Sequence, residues 1–283
     1  MRKKKQAITH QTIQKNKNSF QQSRSGTAKL IRRFHVLNKE LSKCRAQDHV
    51  DRTREQAILK EMDDIGGLDL YQKASLLGQS PRRGGDTSKW LLKTLQTHNI
   101  TKAVAKPIRM LEVGALSPEN YKDHKWIHVY PIDLNPQHEL IQKQDFLTMP
   151  VPSTEDAKFD IVSLSLVVNF VGDAPSRGKM LLHTRDFLYS VQNKDRLHHL
   201  FVVLPLPCLE NSRYMSKEVF QDMMTDMGYT KIDEHFSNKL AYYLFELKGR
   251  PASVGPFAKK LLPGKEGGKR NNFSITIDSP KKK

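Results

Sequence analysis

A chain of 283 residues can hold one sizeable hydrophobic core and an accessory region, but only 37% of its residues are hydrophobic, so we expect some segments not to fold. Its formal net charge is +17. Its two cysteines, Cys44 and Cys208, are too few for a disulfide-stapled domain or a cysteine zinc site. The longest apolar run, IVSLSLVVNFV, is too short and too polar to cross a bilayer, which excludes a membrane-spanning protein.

The positive charge lies at the two ends of the chain. Residues 1–33 carry ten Lys or Arg and no acid, and residues 248–283 carry ten Lys or Arg against Glu266 and Asp278. The residues between them are close to neutral. A neutral body with two cationic arms is typical of a protein that binds polyphosphate. Solubility tails or import signals would show the same pattern and remain an alternative.

The first part of the chain predicts a tail followed by helices. Residues 1–26 are polar and lack an apolar period, so we expect a disordered basic tail. Residues 27–85 predict a helical N-terminal region. Three features of the sequence indicate these helices. Apolar residues recur at steps of three and four, Gly66 and Gly67 can end a helix, and LDLYQKASLLGQS has a helical pattern. The period is carried by Leu30, Phe34, Leu37 and Leu41.

Strand and helix patterns alternate beyond residue 86, where Asp86 or Thr87 can cap the helix SKWLLKTLQTH. Strand-like runs are 108–113, 126–132, 159–168, 199–204 and 240–247. Helical patterns lie near 117–123, 176–191 and 214–227. Alternation of this kind predicts an α/β fold with a doubly wound, mostly parallel sheet.

The end of this region sets it apart from a simple dinucleotide fold. The last helix is followed by TKIDEHFS and KLAYYLFELK, which are separated by only a short loop and must form an antiparallel hairpin. A Rossmann-like sheet with such a hairpin is typical of class I S-adenosylmethionine-dependent methyltransferases. We therefore predict this domain over residues 86–248 and a disordered basic tail over 249–283.

Three positions after successive strands predict an S-adenosylmethionine site, because ligands of such sheets lie outside the carboxyl ends of the strands. Gly114 in EVGAL would let the backbone approach the cofactor, and the scarcity of glycines around it disfavours a dinucleotide. Asp133 in PIDLNP could accept both ribose hydroxyls. Asp145 in KQDFL could take the adenine amino group, with Phe146 beside the ring. Each residue taken alone could simply form a turn.

No metal site is predicted. His124 and His128 have the spacing of a helical zinc pair, but the segment continues as a strand, where that spacing loses its meaning.

Three stretches carry a resemblance to a known family: YQKASLLGQSPRRGGDTSKWL, LEVGALSP and FDIVSLSLVVNFVGDAPSRGKML. The chain resembles the fungal nucleolar large-subunit rRNA adenine-N1 methyltransferases over about residues 62–247. The resemblance implies a nuclear, nucleolar enzyme that methylates N1 of one adenine in large-subunit rRNA with S-adenosylmethionine. The family's cofactor positions correspond to Gly114 and Asp133.

The resemblance leaves two alternatives open. Animal homologues are described as S-adenosylmethionine sensors, so a non-catalytic regulator would keep the same cofactor residues but would not need the basic tails. A nucleic-acid-binding scaffold with an inactive nucleotide fold would explain the charge alone. We expect the basic tails to bind large-subunit rRNA or the pre-ribosome.

Four residues are candidates for contact with RNA or the cofactor, and no catalytic residue is assigned from sequence. Asn169 follows the fourth predicted strand and could hold the target base or merely cap its loop. Arg82, Arg83 and Arg177 flank the predicted cleft and could contact RNA phosphates or the methionine carboxylate, or they could be solvated loop residues.

Overall fold

A computed structural model describes residues 24–45, 47, 49–79, 86–103 and 107–278. The chain divides into two compact units, residues 1–85 and 86–283, which are described separately below. The predicted disordered tail falls mainly on residues 1–23, which lie outside the described residues. Its last residues, 24–26, already belong to the first helix.

The described residues of the first unit form three helices, as the apolar period predicted: Arg24–Arg45 (α1), Arg52–Asp64 (α2) and Gly67–Gln79 (α3). Leu37, Leu41 and Cys44 of α1 form a small buried cluster with Ile58 of α2. The connection between α2 and α3 needs a glycine, because Gly66 has φ of +101°.

The second unit is built on a seven-stranded mixed sheet in the order β3-β2-β1-β4-β5-β7-β6. Strands β1 to β5 run parallel, whereas β7 is antiparallel to both β5 and β6. The predicted class I methyltransferase sheet with its antiparallel C-terminal hairpin is confirmed. The strands are Ile108–Val113 (β1), Ile127–Asp133 (β2), Gln142–Lys143 (β3), Ile161–Ser165 (β4), His199–Pro205 (β5), Tyr229–Phe236 (β6) and Leu240–Leu247 (β7).

Helices cover both faces of this sheet. Leu111 of β1 shares one buried cluster with side chains of the helices that span residues 174–187 and 217–226, whereas Met110 shares another with side chains of the helix that spans residues 88–97. Neighbouring residues of a strand point to opposite faces, so a strand buried on both faces reads as a continuous apolar run. The helices are Ser88–Thr97 (α4), Ala174–Phe187 (α5), Pro207–Glu210 (α6) and Lys217–Asp226 (α7). Short 3-10 helices span Ile100–Ala103, Pro118–Tyr121 and Glu155–Ala157.

Two elements are only about half as long as predicted. The helix expected near 117–123 is a single 3-10 turn, Pro118–Tyr121, which Ser117 begins by accepting a hydrogen bond from the Glu119 N–H at 3.2 Å. The strand expected over 159–168 is only Ile161–Ser165. It ends there because Leu166 takes the left-handed conformation, with φ of 59°.

The amino ends of three strands are joined by a buried carboxylate. Asp160, which precedes β4, accepts hydrogen bonds from the backbone N–H groups of Arg109 at 2.8 Å and Leu197 at 2.9 Å. The Arg196 guanidinium lies 3.3 Å from the same carboxylate. Asp160 thus fixes β4 between β1 and the segment that leads into β5.

The predicted disordered tail after residue 248 is wrong for residues 249–278. Phe273, Ile275 and Ile277 are 3%, 2% and 7% exposed and belong to the main buried cluster. These residues alternate with polar ones in FSITI, a strand-like period that the surrounding charge and glycine obscured. The backbone of Thr276 approaches α5 so closely that a Cβ on Gly178 would lie 2.0 Å from the Thr276 oxygen. The second unit therefore continues well beyond residue 248.

Candidate active site

The carboxyl ends of β1, β2 and β4 lie side by side, because these strands are parallel neighbours. The backbone N–H groups of Gly114 and Ala115 both donate to the Ile132 oxygen, at 2.8 and 3.0 Å. Farther along the edge, the Gln144 N–H donates to the Asp133 oxygen at 2.9 Å. The segments that carry Gly114, Asp133 and Asp145 are thus joined along one edge of the sheet.

Gly114 is required by the local backbone. Its φ is +73°, a conformation that residues with a Cβ adopt at a cost. A Cβ at this position would also lie 2.6 Å from Cγ2 of Val167, which belongs to the loop after β4. The turn after β1 therefore fits closely against the loop after β4.

The two predicted acids both form turns and are both half-buried. Oδ1 of Asp133 accepts a hydrogen bond from the Asn135 N–H at 2.7 Å, and Oδ1 of Asp145 accepts one from the Leu147 N–H at 2.9 Å. Turn formation, the simpler alternative for each residue, is therefore real. These bonds also orient each carboxylate at the carboxyl edge, where it can accept hydrogen bonds from a ligand.

Phe146 does not have the predicted role. Its side chain is 2% exposed and lies in the main core, with ring centroids 5.0 Å from Phe187 and 5.1 Å from His183. A ring buried in this way cannot lie beside a cofactor ring. It instead anchors the segment that carries Asp145.

Glu112 is a site residue that the sequence alone did not identify. It is the last residue but one of β1, is 9% exposed and accepts a hydrogen bond from Nδ2 of Asn120 at 3.4 Å. Burial raises the pKa of the Glu112 carboxyl to about 8; the Asn120 hydrogen bond opposes this shift and the charge of Asp86 adds to it. An acid in the strand IRMLEV, two residues before Gly114, was the available sequence signal.

The start of α4 is attached to the same edge. The Asp86 carboxylate accepts a hydrogen bond from the Ser88 N–H at 2.9 Å, so the predicted cap is Asp86. Thr87 makes no capping bond of its own, and its hydroxyl lies 2.8 Å from the Ser165 hydroxyl at the end of β4. Asp86 is thereby held close enough to Glu112 to raise its pKa.

The loop after β4 carries a side-chain amide, that of Asn169, whose oxygen Oδ1 is buried without a hydrogen bond within the described part of the chain. A loop cap would use this oxygen, so the capping alternative lacks the bond that it needs. An unpaired buried acceptor is costly unless a ligand satisfies it.

The arginine expected at the cleft, Arg177, has a structural role instead. It is 3% exposed and its guanidinium donates to the backbone oxygens of Val171, Gly172 and Ser274, at distances from 2.7 to 3.1 Å. With its donors directed to these internal oxygens, it does not contact RNA or a methionine carboxylate. Arg82 and Arg83 lie outside the described residues.

Within the described ranges, no three His, Cys, Asp or Glu side chains are grouped so that they could hold a metal ion. The imidazole of His124 contacts the edge of Trp126, with ring centroids 5.7 Å apart. No described helix combines the length and apolarity needed to cross a bilayer.

Solved structures similar to this chain are distant. The 16S rRNA methylase RmtB shares 15% identity at a TM-score of 0.43, over 83% of this chain and 98% of that one. The N-methyltransferase NodS from Bradyrhizobium japonicum, solved with S-adenosyl-L-homocysteine, shares 13% identity at a TM-score of 0.37, over 77% of this chain and 99% of that one. Likenesses at these TM-scores do not define an activity.

Sequence relatives are much nearer. A Saccharomyces cerevisiae protein named 25S rRNA (adenine(2142)-N(1))-methyltransferase is 38% identical over 78% of this chain, and the match spans 63% of that protein's length. A Schizosaccharomyces pombe protein named 25S rRNA adenine-N(1) methyltransferase is 37% identical, over 87% of this chain and 90% of its own length. The family model described as 25S rRNA (adenine(2142)-N(1))-methyltransferase, Bmt2, matches residues 56–275. The match runs past residue 248 into the packed C-terminal segment, and the chain belongs to this family.

Proposed function

We propose that this protein transfers a methyl group from S-adenosylmethionine to N1 of an adenine in large-subunit rRNA. The observation that carries the proposal is the family match over residues 56–275, because both named relatives are adenine-N1 methyltransferases. The gathering of Gly114, Asp133 and Asp145 at one edge of the sheet supports it independently.

The residues at this edge fit S-adenosylmethionine, which supplies an activated methyl group when bound. Gly114 turns the backbone away from the ligand position without a side chain. Asp133 would accept hydrogen bonds from the ribose hydroxyls, and Asp145 from the adenine amino group. Asp86 places further negative charge near the site of a cationic ligand, and a nearby cation would lower the raised pKa of Glu112 and favour its ionised form.

Methylation of adenine N1 needs little acid–base chemistry. The N1 lone pair is free at neutral pH, so the protein must mainly align N1 with the methyl carbon. N1 lies on the pairing edge of the base, so the target adenine must be unpaired or extruded. We assign Asn169 as the acceptor for the adjacent amino group, because its buried Oδ1 lacks a partner within the described residues.

Membership of a family named for methyl transfer favours the enzyme over a non-catalytic sensor. The cationic segments support an RNA substrate, because phosphate contacts supply most sequence-independent affinity. Large-subunit rRNA is made and modified in the nucleolus, and we propose that the protein acts there.

The test is methylation of unmodified large-subunit rRNA by the purified full-length protein. N1 methylation blocks Watson–Crick pairing, so reverse transcriptase should stop at one position, and nucleoside mass spectrometry should detect 1-methyladenosine. Gly114→Arg should produce neither signal. A methyl group on N6, ribose or protein would contradict the N1 assignment. Tight cofactor binding without transfer to RNA would instead support the sensor.

A further inference from the structure

The C-terminal segment is attached to the carboxyl edge of the sheet. We call residues 257–277 the strap. Nδ2 of Asn271 donates to the Pro207 oxygen at 2.6 Å, and the Arg213 N–H donates to the Asn271 oxygen at 3.0 Å. Residues 207–213 leave the carboxyl end of β5, so the strap lies at the edge of the sheet that carries the candidate active site.

A second attachment joins the strap to the loop after β4. The Arg177 guanidinium binds the backbone oxygens of Val171 and Gly172 in that loop and, at 2.7 Å, the Ser274 oxygen in the strap. The ring of Phe273 lies under this guanidinium, with 4.9 Å between the guanidinium carbon and the ring centroid. Asn169 belongs to the same loop, so Arg177 holds both the strap and the loop that carries the proposed base contact.

The strap contains a strongly cationic loop, residues 259–270. It carries five basic residues and one acid, Glu266. The basic residues are Lys259, Lys260, Lys265, Lys269 and Arg270. Lys259, Lys260 and Lys269 are exposed, and within the described residues none of the three forms an ion pair with a carboxylate. Nζ of Lys259 lies 4.3 Å from the centroid of the Tyr214 ring.

The loop is held by its backbone. The Arg213 guanidinium donates to the Arg270 oxygen at 2.6 Å and to the Gly268 oxygen at 3.2 Å. The Leu262 N–H donates to the Arg213 oxygen at 2.9 Å. Nζ of Lys265 is directed inward and donates to the backbone oxygens of Leu209 and Met215. A loop anchored at both ends and in its middle presents its exposed charges at fixed positions.

We propose that residues 259–270 form a fixed phosphate-binding surface that holds the RNA substrate against the active-site edge. The inference rests on the proposed function and specifies where the RNA backbone lies. Lysine ammonium groups bind phosphate oxygens as point charges, without reading sequence. An anchored surface loses less conformational freedom on binding than a mobile arm does. It also positions RNA relative to the site, which a mobile arm cannot do.

The experiment compares two triple variants of the full-length protein. The strap variant is Lys259→Gln, Lys260→Gln and Lys269→Gln. The control replaces three other exposed lysines, which precede β1, β2 and β5 at the opposite edge of the sheet, and removes the same charge. It consists of Lys102→Gln, Lys125→Gln and Lys194→Gln. Filter binding to a large-subunit rRNA fragment is measured from low to physiological salt.

We expect the strap variant to bind RNA roughly tenfold or more weakly and to flatten the slope of log affinity against log salt by about 2. Its affinity for S-adenosylmethionine and its melting temperature should match those of the parent, and the control should retain RNA affinity. In methylation assays the strap variant should raise KM for RNA more than it lowers kcat.

Two results would overturn the inference. RNA affinity and salt slope unchanged in the strap variant would show that the loop does not contact RNA. Equal losses in both triple variants would show that net charge alone matters. Neither result bears on the proposed function, which the N1 methylation assay of the unaltered protein decides. Strap-dependent RNA binding without methylation would contradict the proposed function only.

Discussion

Gly114 and Val167 pack against each other between neighbouring strand ends, so closely that a Cβ on Gly114 would lie 2.6 Å from Cγ2 of Val167. Gly114→Ala should therefore lower the melting temperature, through this contact and through about 1 kcal/mol of left-handed strain. Adding Val167→Ala should restore the part due to the contact. Thermal melts of the two single variants and the double variant test this coupling, which strictly additive shifts would contradict.

Gly114→Arg should abolish S-adenosylmethionine binding, because its side chain must enter the ligand position or displace the loop after β4. Calorimetry measures the affinity, and circular dichroism checks that the fold is retained. A folded Gly114→Arg protein with the parent's affinity would remove Gly114 from the site.

Asp133→Ala should weaken S-adenosylmethionine binding by roughly 1.5–3 kcal/mol for each ribose hydrogen bond lost to the charged acceptor. The affinity of Asp133→Asn for S-adenosylmethionine should lie between those of the parent and Asp133→Ala. Its amide oxygen can still accept the hydrogen bond from the Asn135 N–H, which reaches Oδ1 of Asp133 at 2.7 Å in the parent. Calorimetry of the three proteins gives the order. An Asp133→Ala protein that binds as tightly as the parent would show that Asp133 only forms the turn.

Asn169 should discriminate for the adenine amino group. The test substrate is RNA with purine riboside, which lacks this amino group, in place of the target adenosine. With this RNA, kcat/KM of the parent should fall roughly tenfold more than the difference in intrinsic reactivity between the two bases explains. Asn169→Ala should methylate adenine more slowly and show no such extra loss. Because intrinsic reactivity cancels in the comparison, equal discrimination by both proteins would rule out the contact.

The packed strap makes the length of the C-terminus critical for stability. A chain that ends at residue 249 loses Phe273, Ile275 and Ile277 from the core, each of which stabilises the fold by about 1.5–3 kcal/mol. Such a loss is a large part of the total stability of a typical domain. A chain that ends at residue 278 should melt like the full-length protein. Similar denaturant midpoints for both truncations would contradict the packing described above.

His199 should make the protein less stable in mild acid. Burial lowers its pKa from 6.5 to about 4, so between these values the unfolded chain binds a proton that the folded protein does not. The free energy of unfolding is not reduced by this group above pH 6.5. It falls as the pH decreases from 6.5 toward 4, by at most roughly 3 kcal/mol. The difference in unfolding free energy between the parent and His199→Leu should change with pH across this window. A constant difference would contradict the assignment.

Local patterns along the chain are enough to predict the sheet and the edge at which the candidate site lies. Periodic apolar runs identify the strands, and alternation with helices requires most of them to be parallel, so their carboxyl ends meet at one edge. Residues directly after those ends, such as Gly114 and Asp133, could therefore be located from local signals alone. The sequence also shows that the basic residues are concentrated at the two ends of the chain. A count of charges does not show where on the folded protein they lie.

Local patterns do not show which side chains at this edge are available to a ligand, because that depends on packing between distant segments. Phe146 is in the core, and Arg177 binds the backbone of Ser274, which is 97 residues away in sequence. Glu112 has a raised pKa because elements distant in sequence bury it. The strap is ordered because three alternating apolar residues find a core made by other segments. Burial and pairing of this kind depend on contacts between remote segments, which no local pattern in the chain encodes.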